Sequence, residues 1–549
     1  MTKYAGPRLL VIGLDGATMR LLVPWMKAGK LPALARLAST GASGPLRSTI
    51  RPESSVAWSS FATGVNAGQH GIFGFAGFVQ GTYRTRLMTA SDLRATTFWE
   101  HAAAQGIRVG VFNVPLVSYP PRPLPEGSFS VGGLITPNLD SNFTWPSDLK
   151  ANVLANVSNY RLDVDEAGLR DEEMISELAE LTQQHLAAAR YLIRSRLPEL
   201  FVVVFMATDR IQHHLWRHLD SKHPRYDPIR SLQLASRILE LYCQLDTAVG
   251  ELMALAAPDA LTVVLSDHGF NGCYRALSVN AWLASKGWLV PKVGAGTRGS
   301  VAHGLRWLRQ VPNVRRLKQV LPGLRKVSMV DAWRPDPTAW IDWGQTQAFF
   351  SDVGGIRINL RGREPQGIVA PKQYDGLREQ LVNDLLTLRD PQTGAAPITA
   401  VYQREELYSG PYVPMAPDLI VEPRRDANDP RNNYMLAYGA SPTGALFSEP
   451  AGLNGNHDLD GILLAAGPGV EPGPITEAHL WDLAPTLCQA LGIPLPPALD
   501  GRVIPQLVTK KAVNYGPTMI KTSEAKADGL STKDEATVAD RLRALGYLS

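Results

Sequence analysis

The chain has 549 residues, too many for one ordinary domain, and its 45% hydrophobic and 19% charged residues are typical of a folded globular protein. A net charge of +4 is small for this length, so no nucleic acid polymer is expected as a partner. The three cysteines are far apart and form no Cys-x-x-Cys pair. This argues against a disulfide scaffold or a cysteine-ligated zinc site and fits a reducing compartment.

The first apolar run, from Leu9 to Leu14, is too short for the core of a secretory signal peptide and is followed directly by Asp15. No stretch approaches about 18 consecutive apolar residues, so no membrane span is expected. We therefore expect a cytoplasmic protein. The sequence is silent on oligomeric state.

Strand-like and helix-like segments alternate along the first half of the chain. β-Branched and aliphatic runs predict buried strands at 8–16, 106–115, 200–209, 261–269 and 461–469. Apolar residues three and four apart predict amphipathic helices at 32–38, 174–196 and 231–255. This alternation predicts an α/β fold with a doubly wound, mostly parallel sheet, whose active site lies at the carboxyl ends of the strands.

The composition divides the chain into three parts. We expect a catalytic core made of 1–270 and 451–507, since the α/β rhythm stops after 270 and resumes near 451. Residues 271–450, rich in Pro/Gly turns and aromatic stretches, are predicted to form an inserted cap. Residues 508–549 are predicted to be a polar linker and a short C-terminal helix, which a capping-box pattern at Ser531 begins.

Pairs of Asp and His follow several of the predicted strands. Asp209 and His213 are four residues apart after one strand and would project from one face of a helix. Asp267 and His268 stand side by side after another strand. Such pairs suit a borderline metal such as zinc, but each could equally be a helix or strand cap facing water.

Two further candidates complete a possible set of ligands. Asp15 follows the first strand in GLDGA, and His457 precedes the last strand in a Gly/Asn loop. Alone, the first would be an ordinary cap and the second an exposed loop histidine. Taken together, three Asp and three His near the same end of one sheet predict a site for two metal ions.

A nucleophile candidate lies in RPESSVAWSSFATG (51–64). A serine at the start of a helix faces free backbone N–H groups, which favour a phosphate or an anionic transition state. The residues alone do not separate Ser54 from Ser55, and either could be only a helix cap. Ser59 and Ser60 would lie a turn or more inside the helix and are poorer candidates.

Several segments occur in an order that resembles a known family: GLDGA, PESSVAWSSFATG, GQHGIFGF, DRIQHH, SDHGF and GNHDLDGILLAAGPG. The chain resembles the alkaline phosphatase superfamily, in its branch of type I phosphodiesterases and nucleotide pyrophosphatases. Later segments, including GREPQGIV and the C-terminal RLRALGYLS, are similar to bacterial members.

The resemblance implies two divalent metal ions, usually Zn²⁺, although Asp/His sites also accept Mn²⁺. It implies that Ser54 is the nucleophile, and it divides the ligands into two groups: Asp209, His213 and His457 for one ion; Asp15, Asp267, His268 and the Ser54 hydroxyl for the other. The mechanism implied is attack of Ser54 on phosphorus, followed by hydrolysis of a phosphoserine.

Two departures bear on specificity. Nucleotide pyrophosphatases of this family carry an asparagine shortly after the His-Gly of the GQHGIFGF segment, and Phe75 stands at that position here. Sulfatases need Cys/Ser-x-Pro-x-Arg at the nucleophile, and the segment beginning at Ser54 lacks both the proline and the arginine. Nucleotide specificity is therefore in question, and sulfatase activity is not expected.

Other patterns have weaker implications. The GxGxxG match at 294–299 lacks the strand and the acidic residue of a dinucleotide site and favours a glycine hinge. Residues 292–330 contain nine Lys/Arg and no Asp/Glu, which predicts a solvated basic helical pair, a lid that attracts anionic substrate, or a membrane-surface contact. His70 is expected to shape its loop, and His214 to face away from His213.

The sequence therefore predicts a metal-dependent phosphohydrolase acting on a small anionic phosphate ester, most simply a phosphodiesterase or nucleotide pyrophosphatase. A phosphomonoesterase using the same site is the first alternative. A catalytically silent binding protein of the same fold is the second, although such a protein would be expected to have lost ligands.

Overall fold

A computed structural model of the chain describes residues 6–166, 168–292, 340–426, 428–437, 444–450, 452–496, 498–508 and 530–548. The basic segment 292–330, apart from Lys292, lies outside these residues, as do the GxGxxG match and most of the predicted linker. No helix in the described ranges combines the length and the apolar character that crossing a membrane requires.

The described strands are short and number twenty. They are β1 (Leu9–Leu14), β2 (Ala42–Arg47), β3 (Ala76–Phe78), β4 (Thr85–Leu87), β5 (Val109–Phe112), β6 (Phe129–Val131), β7 (Thr144–Trp145), β8 (Leu200–Phe205), β9 (Leu261–Leu265), β10 (Gly269–Gly272), β11 (Arg275–Leu277), β12 (Ala348–Ser351), β13 (Gly355–Ile358), β14 (Ile398–Gln403), β15 (Leu419–Pro423), β16 (Tyr434–Leu436), β17 (Phe447–Ser448), β18 (Gly455–Asp458), β19 (Asp460–Ala466) and β20 (Gly473–Pro474).

The described α-helices range from four to 28 residues. They are α1 (Met19–Lys27), α2 (Pro32–Thr40), α3 (Ser54–Thr63), α4 (Ala67–His70), α5 (Phe98–Ala104), α6 (Leu149–Asn156), α7 (Asp171–Arg196), α8 (Ala207–Leu215), α9 (Pro228–Leu255), α10 (Val279–Ser285), α11 (Tyr374–Thr387), α12 (Arg404–Leu407), α13 (Leu483–Leu491) and α14 (Thr532–Ala544).

One nine-stranded sheet organises the molecule, in the order β20-β2-β19-β9-β1-β8-β5-β6-β7. The five strands from β9 to β6 run parallel, and every residue of β1, β8 and β9 is buried, as expected for a sheet covered on both faces. The predicted α/β fold with a mostly parallel sheet is confirmed. The run at 461–469, predicted as one more strand of the parallel type, instead forms β19, which is antiparallel to both neighbours.

Local capping explains where the long helices begin. Helix α9 starts three residues before the predicted 231–255 because Asp227 accepts hydrogen bonds from the backbone N–H groups of Ile229 and Arg230, with Pro228 in the first turn. Helix α2 has no cap of its own. The carboxylate of Asp246 on α9 accepts from the N–H groups of Ala33 and Leu34 instead, which ties the two helices together.

A second apolar cluster is formed by residues from β11 to β16 together with Tyr83. It packs Trp282 of α10 and Leu381 of α11 against the antiparallel sheet β12-β13-β15-β14. The main core cluster contains none of the described residues between Leu265 and Ile462. The hairpin-like pair of β10 and β18 connects the two parts, because β10 follows the sheet strand β9 and β18 precedes β19.

The C-terminal helix α14 begins as its capping box predicts. The Ser531 hydroxyl accepts a hydrogen bond from the N–H of Asp534 at 3.2 Å. Val538, Leu542 and Leu545, the residues with helical spacing, are buried in the main core cluster. The chain end is therefore part of the body that carries the central sheet.

Candidate active site

The site is built at the carboxyl ends of three neighbouring strands. Asp15 directly follows β1, Asp267 and His268 follow β9, and Asp209 lies in the first turn of the helix after β8. These strands are adjacent in the order β9-β1-β8, so their ends meet at one edge of the sheet. All four side chains are completely buried.

Helix α8 presents two of the predicted residues from one face. Asp209 and His213 are one turn apart, and the carboxylate Oδ1 lies 3.4 Å from Nε2 of the imidazole. Two contacts hold this helix against the end of β1: Thr208 donates a hydrogen bond to the backbone carbonyl of Asp15, and Gln212 donates to that of Gly16. These contacts fix α8, and with it Asp209 and His213, relative to the end of β1.

His457 reaches the cluster from strand β18 rather than from the exposed loop that its Gly/Asn neighbours predict. In the β10–β18 pair, His457 lies opposite Phe270, and Phe270 follows His268 by two residues. Its Nε2 is 2.9 Å from Nε2 of His213 and 3.2 Å from Oδ1 of Asp209. The antiparallel pairing thus places a residue nearly 200 positions further along the chain beside His268.

Among the described residues, Ser54 is the one serine of the 51–64 segment whose Oγ contacts this cluster. Ser54 is the first residue of α3, and its Oγ is 3.2 Å from Nε2 of His268 and 3.4 Å from Oδ1 of Asp15. Ser55 donates instead to the Glu53 carboxylate at 2.8 Å. Ser59 and Ser60 contact their own helix and His70.

The remaining histidines considered from the sequence have other partners. His70 accepts from the backbone N–H of Ile72 and contacts the Ser60 hydroxyl at 3.0 Å, so it connects α3 with the loop after α4. Burial lowers the pKa of His70 to about 3. His214 lies 3.1 Å from Glu166 and is directed away from the cluster.

Each of the three cluster imidazoles is oriented by a backbone carbonyl. The Nδ1 atoms of His213, His268 and His457 lie 3.2, 3.0 and 2.5 Å from the carbonyl oxygens of Gly455, Gly269 and Pro52. A carbonyl oxygen only accepts hydrogen bonds, so each Nδ1 carries the proton. Each Nε2 therefore presents its lone pair to the carboxylates, which is the arrangement of metal-ligating histidines.

Burial and the crowding of negative charge shift the pKa values of the aspartates in this site. Burial, together with the charges of Asp267 and Asp209, raises the pKa of Asp15 well above its usual range. Burial also raises the pKa of Asp267 to about 8. Burial acts on Asp209 in the same sense, but His213 and His457, when protonated, would outweigh it and hold the pKa of Asp209 well below its usual range.

These donors fit divalent metal ions. Two groups of three side chains could each hold an ion, because within each group the ligand atoms all lie within 4.8 Å of one another. The groups are Asp209, His268 and His457, and Asp15, Asp267 and His268. Oδ1 of Asp209 and Oδ2 of Asp267 are buried and have no well-aligned hydrogen-bond partner among the described residues. Cations would satisfy both oxygens and keep the carboxyl groups ionised beside imidazole lone pairs.

Neighbouring groups fix the two aspartates at the sheet edge. Trp58 of α3 donates from Nε1 to Oδ2 of Asp15 at 2.7 Å, and the N–H of Gly16 donates to Oδ1 of Asp267 at 3.1 Å. Each carboxylate thus uses one oxygen for a protein donor and directs the other toward the cluster. Residue types alone do not reveal these orienting contacts.

Sequence reasoning missed Tyr547, which enters the site from the C-terminal segment. Its hydroxyl is 3.0 Å from Oγ of Ser54 and 3.5 Å from both Oδ2 of Asp209 and Nε2 of His457. Burial raises the pKa of Tyr547 well above its usual range, so the hydroxyl keeps its proton. The helical spacing before Tyr547 predicts a docked helix but not the direction of the residues that follow it.

A cavity opens beside the cluster. Its wall includes His213, His457 and Tyr547 from the site, the charged residues Arg51, Glu53 and Arg425, and apolar side chains. The apolar members are Val421, Pro423, Met435, Leu436, Leu453 and Leu545. The cavity therefore offers apolar surface and paired charges beside His457 and Tyr547.

The sequence model of one protein family, described as type I phosphodiesterase / nucleotide pyrophosphatase, matches residues 9–436, well over half of the chain. The chain belongs to this family. The protein is accordingly a phosphoric ester hydrolase. The matched region includes Asp15, Ser54 and Asp267 but ends before His457 and Tyr547.

No curated protein has a significant sequence match to this chain. Among solved structures, phosphonoacetate hydrolase from Sinorhizobium meliloti 1021, in complex with phosphonoformate, has 17% identity and a TM-score of 0.49, covering 88% of this chain and 95% of that chain. Human ectonucleotide pyrophosphatase/phosphodiesterase 5 has 14% identity and a TM-score of 0.47, covering 92% of this chain and 100% of that chain.

Proposed function

We propose that this protein is a metal-dependent phosphodiesterase or nucleotide pyrophosphatase that acts through a phosphorylated Ser54. The observation that carries the proposal is the position of the Ser54 hydroxyl: it lies at the start of α3, within 3.2 Å of His268 and 3.4 Å of Asp15, beside buried carboxylates and imidazole lone pairs. This constellation suits a nucleophile that reacts with a phosphate ester.

We propose the ligand groups that the family resemblance implies: Asp209, His213 and His457 for one ion; Asp15, Asp267, His268 and Ser54 for the other. Imidazole and carboxylate donors suit Zn²⁺, and Mn²⁺ is the natural competitor. Bound there, two such ions would lower the pKa of the Ser54 hydroxyl and neutralise charge on the phosphoryl oxygens.

The chain's own residues perform the covalent steps. Ser54 Oγ attacks phosphorus, the bond to one ester oxygen breaks, and the serine proton leaves with the departing alcohol. Water then attacks the phosphoserine, which regenerates Ser54 and releases a phosphate monoester. The N-terminus of α3 faces the negative charge that develops during both steps.

The cavity supports a diester rather than a monoester. Its apolar wall offers a surface for a second substituent on phosphorus, which a monoester lacks. Val421, Arg425 and Leu436 in this wall come from the 271–450 segment, so we propose that this segment caps the core and selects the substrate. Phe75, buried at the position of the family's asparagine, has no side-chain donor for a phosphoryl oxygen there.

The test compares bis-p-nitrophenyl phosphate with p-nitrophenyl phosphate after the protein has been stripped of metal and reloaded with Zn²⁺ or Mn²⁺. Ser54→Ala is the blank, and Ser55→Ala is the matched control. We expect metal-dependent turnover with preference for the diester. Preference for the monoester would make the protein a phosphatase. Turnover no faster than the blank, in a protein that takes up no metal, would support the silent binding protein.

A further inference from the structure

The C-terminal segment, residues 530–548, brings to the site a group that the catalytic core does not supply. Around Ser54 the neighbouring side chains of Asp15 and His268 present a carboxylate and an imidazole lone pair, which are acceptors. A phosphate ester presents acceptors as well. The Tyr547 hydroxyl, 3.0 Å from Ser54 Oγ, is a neutral donor at this position.

Partly buried contacts anchor the segment to the core. Arg541 donates to the backbone carbonyls of Leu134 and Thr136 at 2.5 and 3.0 Å and lies 3.4 Å from Asp163. The N–H of Leu87 donates to Glu535 at 3.1 Å. Together with the apolar face of α14, these contacts hold the end of the helix at one place beside the site.

The turn after α14 then directs Tyr547 inward. The N–H of Tyr547 bonds to the carbonyl of Leu542, and the N–H of Gly546 bonds to that of Arg543. These two bonds and the φ of +78° at Gly546 form a Schellman motif, in which glycine has the left-handed conformation. A Cβ at Gly546 would also approach Leu453 to 2.7 Å. The tyrosine is therefore placed by a defined helix ending.

The tyrosine forms part of the cavity wall and does not fill the cavity. Leu545, Gly546 and Tyr547 line it together with Arg51 and Arg425, so space remains beside this residue. The ring packs on Phe75, with 4.8 Å between the centroids, which fixes the hydroxyl relative to Ser54. A substrate that occupies the cavity and presents phosphorus to Ser54 would therefore lie against this hydroxyl.

We propose that Tyr547 is a substrate-contacting residue whose hydroxyl donates a hydrogen bond to a non-bridging phosphoryl oxygen of the ester being attacked by Ser54. This inference rests on the proposed function. Donating a hydrogen bond transfers no proton, so Tyr547 acts by binding and orienting the phosphoryl group, with greater effect as negative charge develops on that oxygen.

The experiment uses the full-length, metal-loaded protein with the substitution Tyr547→Phe, which removes the hydroxyl and preserves the ring on Phe75. Tyr160→Phe is the matched control, since the Tyr160 hydroxyl is also buried and has no hydrogen-bond partner among the described residues. A hydrogen bond to a charged oxygen corresponds to about a 10–100-fold effect. We expect kcat/KM for bis-p-nitrophenyl phosphate to fall by that factor in Tyr547→Phe and to stay unchanged in Tyr160→Phe.

Binding of inorganic phosphate gives a second measurement that does not depend on turnover. Phosphate should raise the melting temperature of the zinc-loaded wild type, and Tyr547→Phe should need about tenfold more phosphate for the same rise. Equal phosphate dependence and equal kcat/KM would overturn the proposal, as would faster turnover in Tyr547→Phe, which would identify the hydroxyl as an obstruction. A wild type with no turnover would contradict the proposed function, and the phosphate comparison would still decide the role of Tyr547.

Discussion

Two parts of the chain meet at the Ser54 hydroxyl, and they are held there by different means. The Asp/His cluster comes from the ends of β9, β1 and β8, which pair in the middle of the sheet, and from β18, which pairs with β10. Tyr547 belongs to a segment without strand pairing, which is anchored by one helix and a few side chains. The cluster is thus inseparable from the folded core, whereas the tyrosine depends on the docking of α14.

This difference in attachment separates two kinds of contribution to the proposed reaction. The groups that we propose the reaction requires come from the central sheet and the elements packed beside it. The group that we propose contacts the phosphoryl oxygen comes from the C-terminal segment, and the matched region of the family model ends before it. Substitutions in the two parts should therefore differ in size and in what they affect.

The largest effect is expected from Ser54→Ala. Without a nucleophile the phosphoserine cannot form, and turnover should fall on the order of 10⁴-fold or more. Metal content should remain largely intact, because the Asp/His ligands are unchanged. Kinetics with metal analysis on the same preparation checks both points. Full activity in Ser54→Ala, with loss in Ser55→Ala, would transfer the role to Ser55.

A large effect is also expected when one ligand of the cluster is removed. His457→Ala takes away an imidazole 3.2 Å from Asp209, so one metal site should weaken and activity should drop by at least about 100-fold. His214→Ala is the matched control, since His214 pairs with Glu166. Metal counted per chain by mass spectrometry should decrease only in His457→Ala. Full metal content in that variant would refute its assignment as a ligand.

An intermediate effect is expected from loosening the C-terminal helix. Leu542→Ala removes a fully buried side chain that secures α14, a change that costs about 2–5 kcal/mol in a core. Kinetics should show loss of activity similar to that of Tyr547→Phe, about 10–100-fold, with unchanged metal content. The exposed Thr537→Ala on the same helix should have little effect. Loss of metal in Leu542→Ala would show that the segment supports the cluster itself.

The smallest expected effect is a pH dependence of the free energy of unfolding that arises from His70, which contacts helix α3. Burial lowers the pKa of His70 to about 3, so the folded state holds it neutral while the unfolded state takes up a proton below about pH 6.5. Stability should fall as the pH decreases through this window, by about 2 kcal/mol between pH 7 and pH 5 from this group.

Denaturant unfolding at the two pH values measures this contribution. His70→Gln should show a smaller decrease in the free energy of unfolding between pH 7 and pH 5 than the wild type. Identical decreases in the two proteins would mean that His70 binds protons equally in the folded and unfolded states, and would contradict a neutral, buried imidazole between α3 and the loop after α4.

Local sequence signals account for much of the fold and of the site. Apolar runs followed by Asp15 or Asp267 predict strand ends, because a buried strand excludes charge until it reaches the sheet edge. The capping signal at Ser531 predicts the start of α14 for a similar local reason. Capping also explains the error at α9, which the side chain of Asp227 extends beyond the periodic apolar residues.

The sequence by itself determined which residue types stand at the strand ends and at the helix start, because helix and strand periodicity and capping act over a few residues. Only the tertiary structure decided that Ser54 rather than Ser55 contacts the cluster, that β18 pairs His457 beside His268, and that Tyr547 meets Ser54 across 493 positions. These contacts depend on strand order and helix docking. Such long-range packing leaves no periodic signal in the chain.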